Sequence, residues 1–124
     1  MADLWPVQVD LVALLKAAPA TYPVYDAVPA STPKPYVVIG AWTGLPDLEL
    51  DGDANNTTVA LHGWSAVNGK KEAHAIRAWL LAKLNHQTVA GTWACFEEFW
   101  DILEESTGEG RLYHLITRYR IRTN

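Results

Sequence analysis

The chain has one cysteine, Cys95, so no disulfide can form within it. That excludes the small secreted scaffolds that replace a core with crosslinks. Cys95 lies in an apolar run and reads as a small buried hydrophobe. No apolar run approaches the ~20 residues a membrane helix needs. The opening stretch, MADLWPVQVDLVALL, has two acidic residues and no basic residue ahead of its apolar part. It does not read as a signal peptide, and a reducing cytoplasm is the expected setting. Positive charge is scarce. Ten Lys and Arg stand against fourteen Asp and Glu, for a formal charge of −4, which removes the basic footprint usual in nucleic-acid binders. Repeats and low-complexity segments are missing as well.

Apolar and aromatic residues are plentiful. Of 124 residues 49% are apolar, with six tryptophans and five tyrosines. This suffices for a single domain over residues 1–124 with its own core, and is too little for two ordinary ones.

The stretch Thr57–Leu84 sets the architecture. Val59, Leu61 and Gly63 alternate with Ala60, His62 and Trp64, the period of a strand with two different faces. Beyond Ser65 the period changes. Ala73, Ile76, Trp79, Leu80 and Leu84 recur at steps of three and four, the stripe of an amphipathic helix. Val67-Asn68-Gly69-Lys70 forms the connection between them.

Around this unit the rest can be read in order. Val9, Val12 and Leu15, with Leu11, predict a short helix behind Pro6, which is tolerated in a first turn. Five prolines between residues 19 and 35 forbid a helix and leave Val24–Val28 as an edge piece. Tyr36–Thr43 predicts a buried strand. Residues 44–56, with Asp47, Glu49, Asp51 and Asp53, predict a long acidic loop, either functional or mobile. Trp93–Leu103 fits a bulged strand better than a short helix, because of its aromatic content and the turn at Gly91. A turn over 106–110 leads to a final strand, Arg111–Thr123. The expected class is α+β: a mostly antiparallel sheet flanked by two helices.

No pattern supplies a catalytic or cofactor site. Asp51, Asp53 and Asn55 start like a calcium loop, but the sixth and twelfth positions hold Asn56 and His62 instead of Gly and Glu. His62, His74, His86 and His114 have no metal-ligand spacing. Ser65 lacks the glycine spacing of a nucleophile elbow. Glu97, Glu98, Asp101, Glu104 and Glu105 offer carboxylates for a small hydrolase, although a solvated or partner-facing acidic patch is the plainer reading.

Candidate contact residues are easier to find. Arg118, Arg120 and Arg122 share a strand face, as ion-pair partners of the acidic strand before them or as a contact for another subunit or passing DNA phosphates. On a helical projection Leu81 falls with Lys70, Lys71, His74 and Arg77, on the face expected to meet solvent. With Trp5, Trp42 and Trp64 it suggests surplus apolar surface, and hence oligomerisation.

The segment LHGWSAVNGKKEAHAIRAWLLAKL resembles the "L-x-V-W-S, then G-(R/K)-x-E-A, then a helix ending in L" signature of the tail-completion proteins of long-tailed phages. The opening helix, the Val24–Val28 piece, Pro35–Gly40, the acidic loop and the closing Arg-Tyr-Arg-Ile-Arg follow in the same order. Gly63 departs from the pattern, standing where the family more often has a β-branched residue. The resemblance implies a non-enzymatic virion protein without cofactors. Its subunits would form a ring, commonly a hexamer, that terminates the tail tube and joins it to the head-tail connector. DNA would pass through the lumen without specific binding. The ring would be assembled in the host cytoplasm and reside in the neck of the virion, away from any membrane. A head-closure or adaptor subunit of the same neck is the alternative role. Leu81, Arg77, His74, Lys70, Asp47, Glu49, Asp51, Asp53, Arg118, Arg120 and Arg122 are the expected interface residues.

Overall fold

The structure is a computed structural model that describes residues 5–46, 55–66, 69–89, 93–107 and 110–123. Its elements run α1 (Trp5–Lys16), β1 (Val24–Tyr25), β2 (Tyr36–Pro46), β3 (Asn55–Ser65), α2 (Lys71–Leu84), β4 (Gln87–Val89), β5 (Trp93–Thr107) and β6 (Gly110–Thr123). The strands form one sheet in the order β1-β2-β3-β6-β5-β4. Among the described residues only the β1–β2 pair is parallel.

The period-two pattern of β3 is realised as expected. Thr57, Val59, Leu61, Gly63 and Ser65 are buried beneath the helices, and the intervening residues lie on the opposite face. On β6, Tyr113, Leu115, Thr117, Tyr119 and Ile121 join the same core. Helix α2 covers them with Ala73, Ile76, Trp79, Leu80 and Leu84. Gly69, at φ +86°, makes the turn into α2 in a backbone region that glycine enters without a Cβ clash. Gly63 allows α2 to approach closely, because a Cβ there would lie 2.9 Å from Ile76 Cγ2 and 3.3 Å from Leu115 Cδ2. This accounts for the departure from the family pattern at that position.

Helix α1 buries Leu11 and Leu15 of the expected stripe but takes in Val7 rather than Val9. Val7, Leu11 and Leu15, spaced by four, are buried, whereas Val9 is 51% exposed. Val12 packs partly against the core, and contacts with α2, β1 and β4 select Val7 over Val9. The proline-rich segment is tied to α2: Trp79 Nε1 donates to the Pro19 carbonyl at 3.1 Å, and Tyr22 meets the Trp79 ring edge-on.

Both flanks of the loop expected over 44–56 lie in strands. β2 continues through Gly44 to Pro46 and β3 begins at Asn55, with Pro46 opposite Asn55, so the ladder consumes both flanks. Of the edge piece expected over Val24–Val28, only Val24 and Tyr25 pair. Strand β4, absent from the sequence reading, forms because His86 adopts φ +62° and turns the chain back, its N–H donating to the Cys95 carbonyl at 2.7 Å.

Candidate assembly surfaces

Three of the five exposed large hydrophobic side chains among the described residues lie on β5 of the β5–β6 hairpin. A bulge between Glu97 and Phe99 resets the alternation of β5. Ahead of it Cys95 and Glu97 look toward the helices. Beyond it Trp100 and Ile102 do so, while Phe99 and Leu103 turn to the outer face. Phe99, Trp100 and Leu103 are 43%, 42% and 39% exposed.

Glu97 locks the hairpin to α2. Arg77 Nη2 donates to its Oε1 at 2.6 Å, and Arg77 Nε and the Thr117 hydroxyl donate to Oε2 at 3.2 and 2.8 Å. The Arg77 guanidinium also lies over the Trp100 ring, 4.3 Å from its centroid, and His74 meets that ring edge-on. Arg77 and His74 are thus brought together on the seam between α2 and β5. Lys70 is exposed just ahead of the helix. Leu81 corrects the expectation of exposure: it is half-buried, and the exposed large hydrophobics among the described residues are Trp5, Val9, Phe99, Trp100 and Leu103.

On the outer sheet face the arginine row divides its work. Arg120 Nη2 pairs with Glu98 Oε1 at 2.7 Å, the cross-hairpin ion pair the sequence anticipates. Arg118 instead lies over the Phe99 ring, 5.2 Å from its centroid, beside an open hollow of about 350 Å³ lined by Ala41, Thr43, Thr58 and Ala60. Arg122 is exposed near the end of β6. Asp47, Glu49, Asp51 and Asp53 lie outside the described residues.

A feature the sequence reading missed sits on the same face. His62 and His114, 52 residues apart, approach to 2.8 Å between Nδ1 and Nε2, and Trp64 stacks on His114 with centroids 3.8 Å apart. His114 turns its Nδ1 toward the Glu105 carboxylate at 3.7 Å. The neutral pair is then completed by His62 Nδ1–H donating to His114 Nε2. Burial lowers the basicity of both rings, and on His114 the charge of His62 adds to it, together outweighing the pull of Glu105. A Cβ at Gly40 would lie 2.6 Å from His62 Nε2, so glycine there makes room for the ring. The signal was present only in the register: both histidines occupy outward positions of strands that turn out to be neighbours.

The acidic residues considered for hydrolysis do not converge. Glu97 faces α2, Glu98 pairs with Arg120, Glu104 pairs with Arg111 at 2.9 Å, and Asp101 accepts the N–H of Ile102. Among the described residues no three His, Cys, Asp or Glu side chains gather where they could hold a metal ion.

The family described as "Tail completion protein gp17" matches residues 9–124. The chain belongs to that family. Membership makes it a structural protein of the phage tail and neck, found in the virion and in contact with other tail or head proteins. Among solved structures, a chain of the virion of a native gene transfer agent (GTA) particle has the same fold, with a TM-score of 0.74 at 17% identity, over 95% of this chain and 94% of that one. No curated protein matches the sequence. No helix among the described residues is long and apolar enough to cross a membrane.

Proposed function

We propose that this tail completion protein is the subunit of a homo-oligomeric ring, six-membered, that terminates the tail tube and joins it to the head-tail connector. Its partners are further copies of itself, the tube protein and the connector or head-closure protein, and DNA crosses the lumen without specific contacts. It performs no turnover.

The observation that carries this reading is the run Phe99–Leu103, which sets large apolar side chains on both faces of β5 around Asp101 and exposes three of them. Large apolar side chains clustered at one strand mark a surface that another protein covers. A ring also needs two different patches per subunit, because head-to-tail contacts must close. The β5 side and the arginine-lined outer face provide candidates. The test is the mass of the purified protein, alone and on isolated tail tubes. A closed multimer that caps tubes supports the reading, and a protein that stays monomeric and leaves tubes uncapped contradicts it.

A further inference from the structure

Two long strands lie one place in from the ends of the sheet, and each is covered by only a fragment. β1 pairs with Val37 and Val38 of the eleven-residue β2. β4 pairs with Trp93, Ala94 and Cys95 of the fifteen-residue β5. Beyond β4, the Asn85 side-chain carbonyl accepts the Glu97 N–H at 3.0 Å. Among the described residues, no strand covers the outer edge of β2 beyond Val38 or of β5 beyond Glu97.

An open strand edge offers unpaired N–H and C=O groups to any other chain, and proteins usually guard it with charge or keep it short. Neither strand is guarded in that way throughout. β2, YVVIGAWTGLP, has no charged residue. In β5 charge is present, but the run Phe99–Leu103 carries a single charged residue, Asp101, among four large apolar ones. Each strand has one bulge, between Ile39 and Trp42 and between Glu97 and Phe99, and regular ladder continues beyond both.

The two edges lie on opposite sides of the sheet, separated by β3 and β6. We propose that the open edge of β5 in one copy pairs with the open edge of β2 in the next, so that the sheet continues from subunit to subunit. This rests on the ring reading above and names the contact that builds it. Charge selects the combination. Pairing β5 with β5 would set Asp101, Glu104 and Glu105 of two copies against each other, and like charges across strands are destabilising. Pairing β2 with β2 would leave the apolar run of β5 uncovered. Only β5 on β2 removes both faults, and because it joins unlike surfaces it is head-to-tail and able to close.

The direction of the backbone groups supplies the test. Val37 N–H points outward, to the Pro23 carbonyl. Alternation carried through the β2–β3 register turns Gly44 outward too. Phe99 C=O points inward, accepting from the Thr117 hydroxyl, which turns Glu104 outward. Gly44→Pro and Glu104→Pro each remove one outward N–H and leave the internal ladder intact. Circular dichroism and melting establish that each variant folds.

Each variant alone is expected to lose every species larger than a monomer. A 1:1 mixture is expected to give a heterodimer and nothing larger, since each partner keeps the edge the other has lost. In the unmodified protein, the outward amides of Trp42, Gly44, Trp100, Ile102, Glu104 and Ser106 should exchange more slowly once it assembles. Folded variants that assemble like the parent, or a mixture that stays monomeric, overturn the edge pairing. So does an assembled parent whose edge amides exchange as fast as in the monomer, and that outcome leaves the ring itself standing. A parent that is monomeric both alone and with tail tubes overturns the ring and this contact together.

Discussion

Ser65, the last residue of β3, donates its hydroxyl to Glu72 in the first turn of α2 at 2.6 Å. These are the serine and glutamate of the W-S…G-K-x-E-A pattern. The bond fixes where α2 starts back across the sheet, and it holds a carboxylate where the helix dipole favours one. Ser65 is fully buried, so the role is structural. Ser65→Ala should lower stability by about 1.5–3 kcal/mol, the range for a hydrogen bond to a charged group. Glu72→Gln keeps an acceptor and should lose less. Urea denaturation of the two variants checks the order, and an unchanged Ser65→Ala midpoint contradicts it.

Gly63 makes the opposite kind of contact, one defined by missing volume. A β-branched side chain there would be driven into Ile76 and Leu115. Gly63→Val should destabilise the protein by ~1–3 kcal/mol, the usual cost of overpacking. Ile76→Ala in the same chain should recover part of that loss. A double-mutant cycle read by thermal melting would expose the coupling, and strict additivity would contradict the close approach.

The His62–His114 pair makes stability depend on pH. Both rings have a folded-state basicity below the ordinary value, so below about pH 6.5 the unfolded chain binds more protons than the folded one. Their contribution is therefore complete above that pH and is lost as pH falls through the folded-state range. Protonating His114 Nε2 also removes the acceptor that His62 needs. The urea midpoint should drop from neutral pH toward mildly acid pH, and His62→Gln with His114→Gln should flatten that slope. A parent whose midpoint is constant or rises over this range would contradict the assignment.

Cys95 is 1% exposed, and burial pushes its thiol pKa up to about 12. At pH 8 a thiol reagent should leave the native protein unlabelled and react fully once urea unfolds it. Rapid labelling of the folded protein would show that the core opens at β5.

Much of this fold was legible because long alternations survive folding. The two faces of β3 and β6 and the stripe of α2 follow from period alone, and the W-S and E-A residues indicated the family. Short elements were not legible. β4 exists only because His86 turns the chain against Cys95, and β1 pairs at two residues. Helix α1 buries the expected Leu11 and Leu15, but tertiary packing chose Val7 over Val9. The exposed apolar surface differed for a similar reason. Leu81 looked exposed on a wheel but is half-buried, whereas Phe99, Trp100 and Leu103 became visible as an exposed run once the bulge in β5 was known. The His62–His114 pair depended on register across 52 residues, which periodicity does not encode.

The central claim is that this chain builds a closed ring on the end of a tail tube. Mass photometry of the purified protein, repeated with isolated tail tubes and followed by imaging of the tube ends, tests it most directly. The account predicts a discrete closed multimer of six subunits seated at one end of each tube. A protein that remains monomeric at every concentration and leaves both tube ends bare would contradict it.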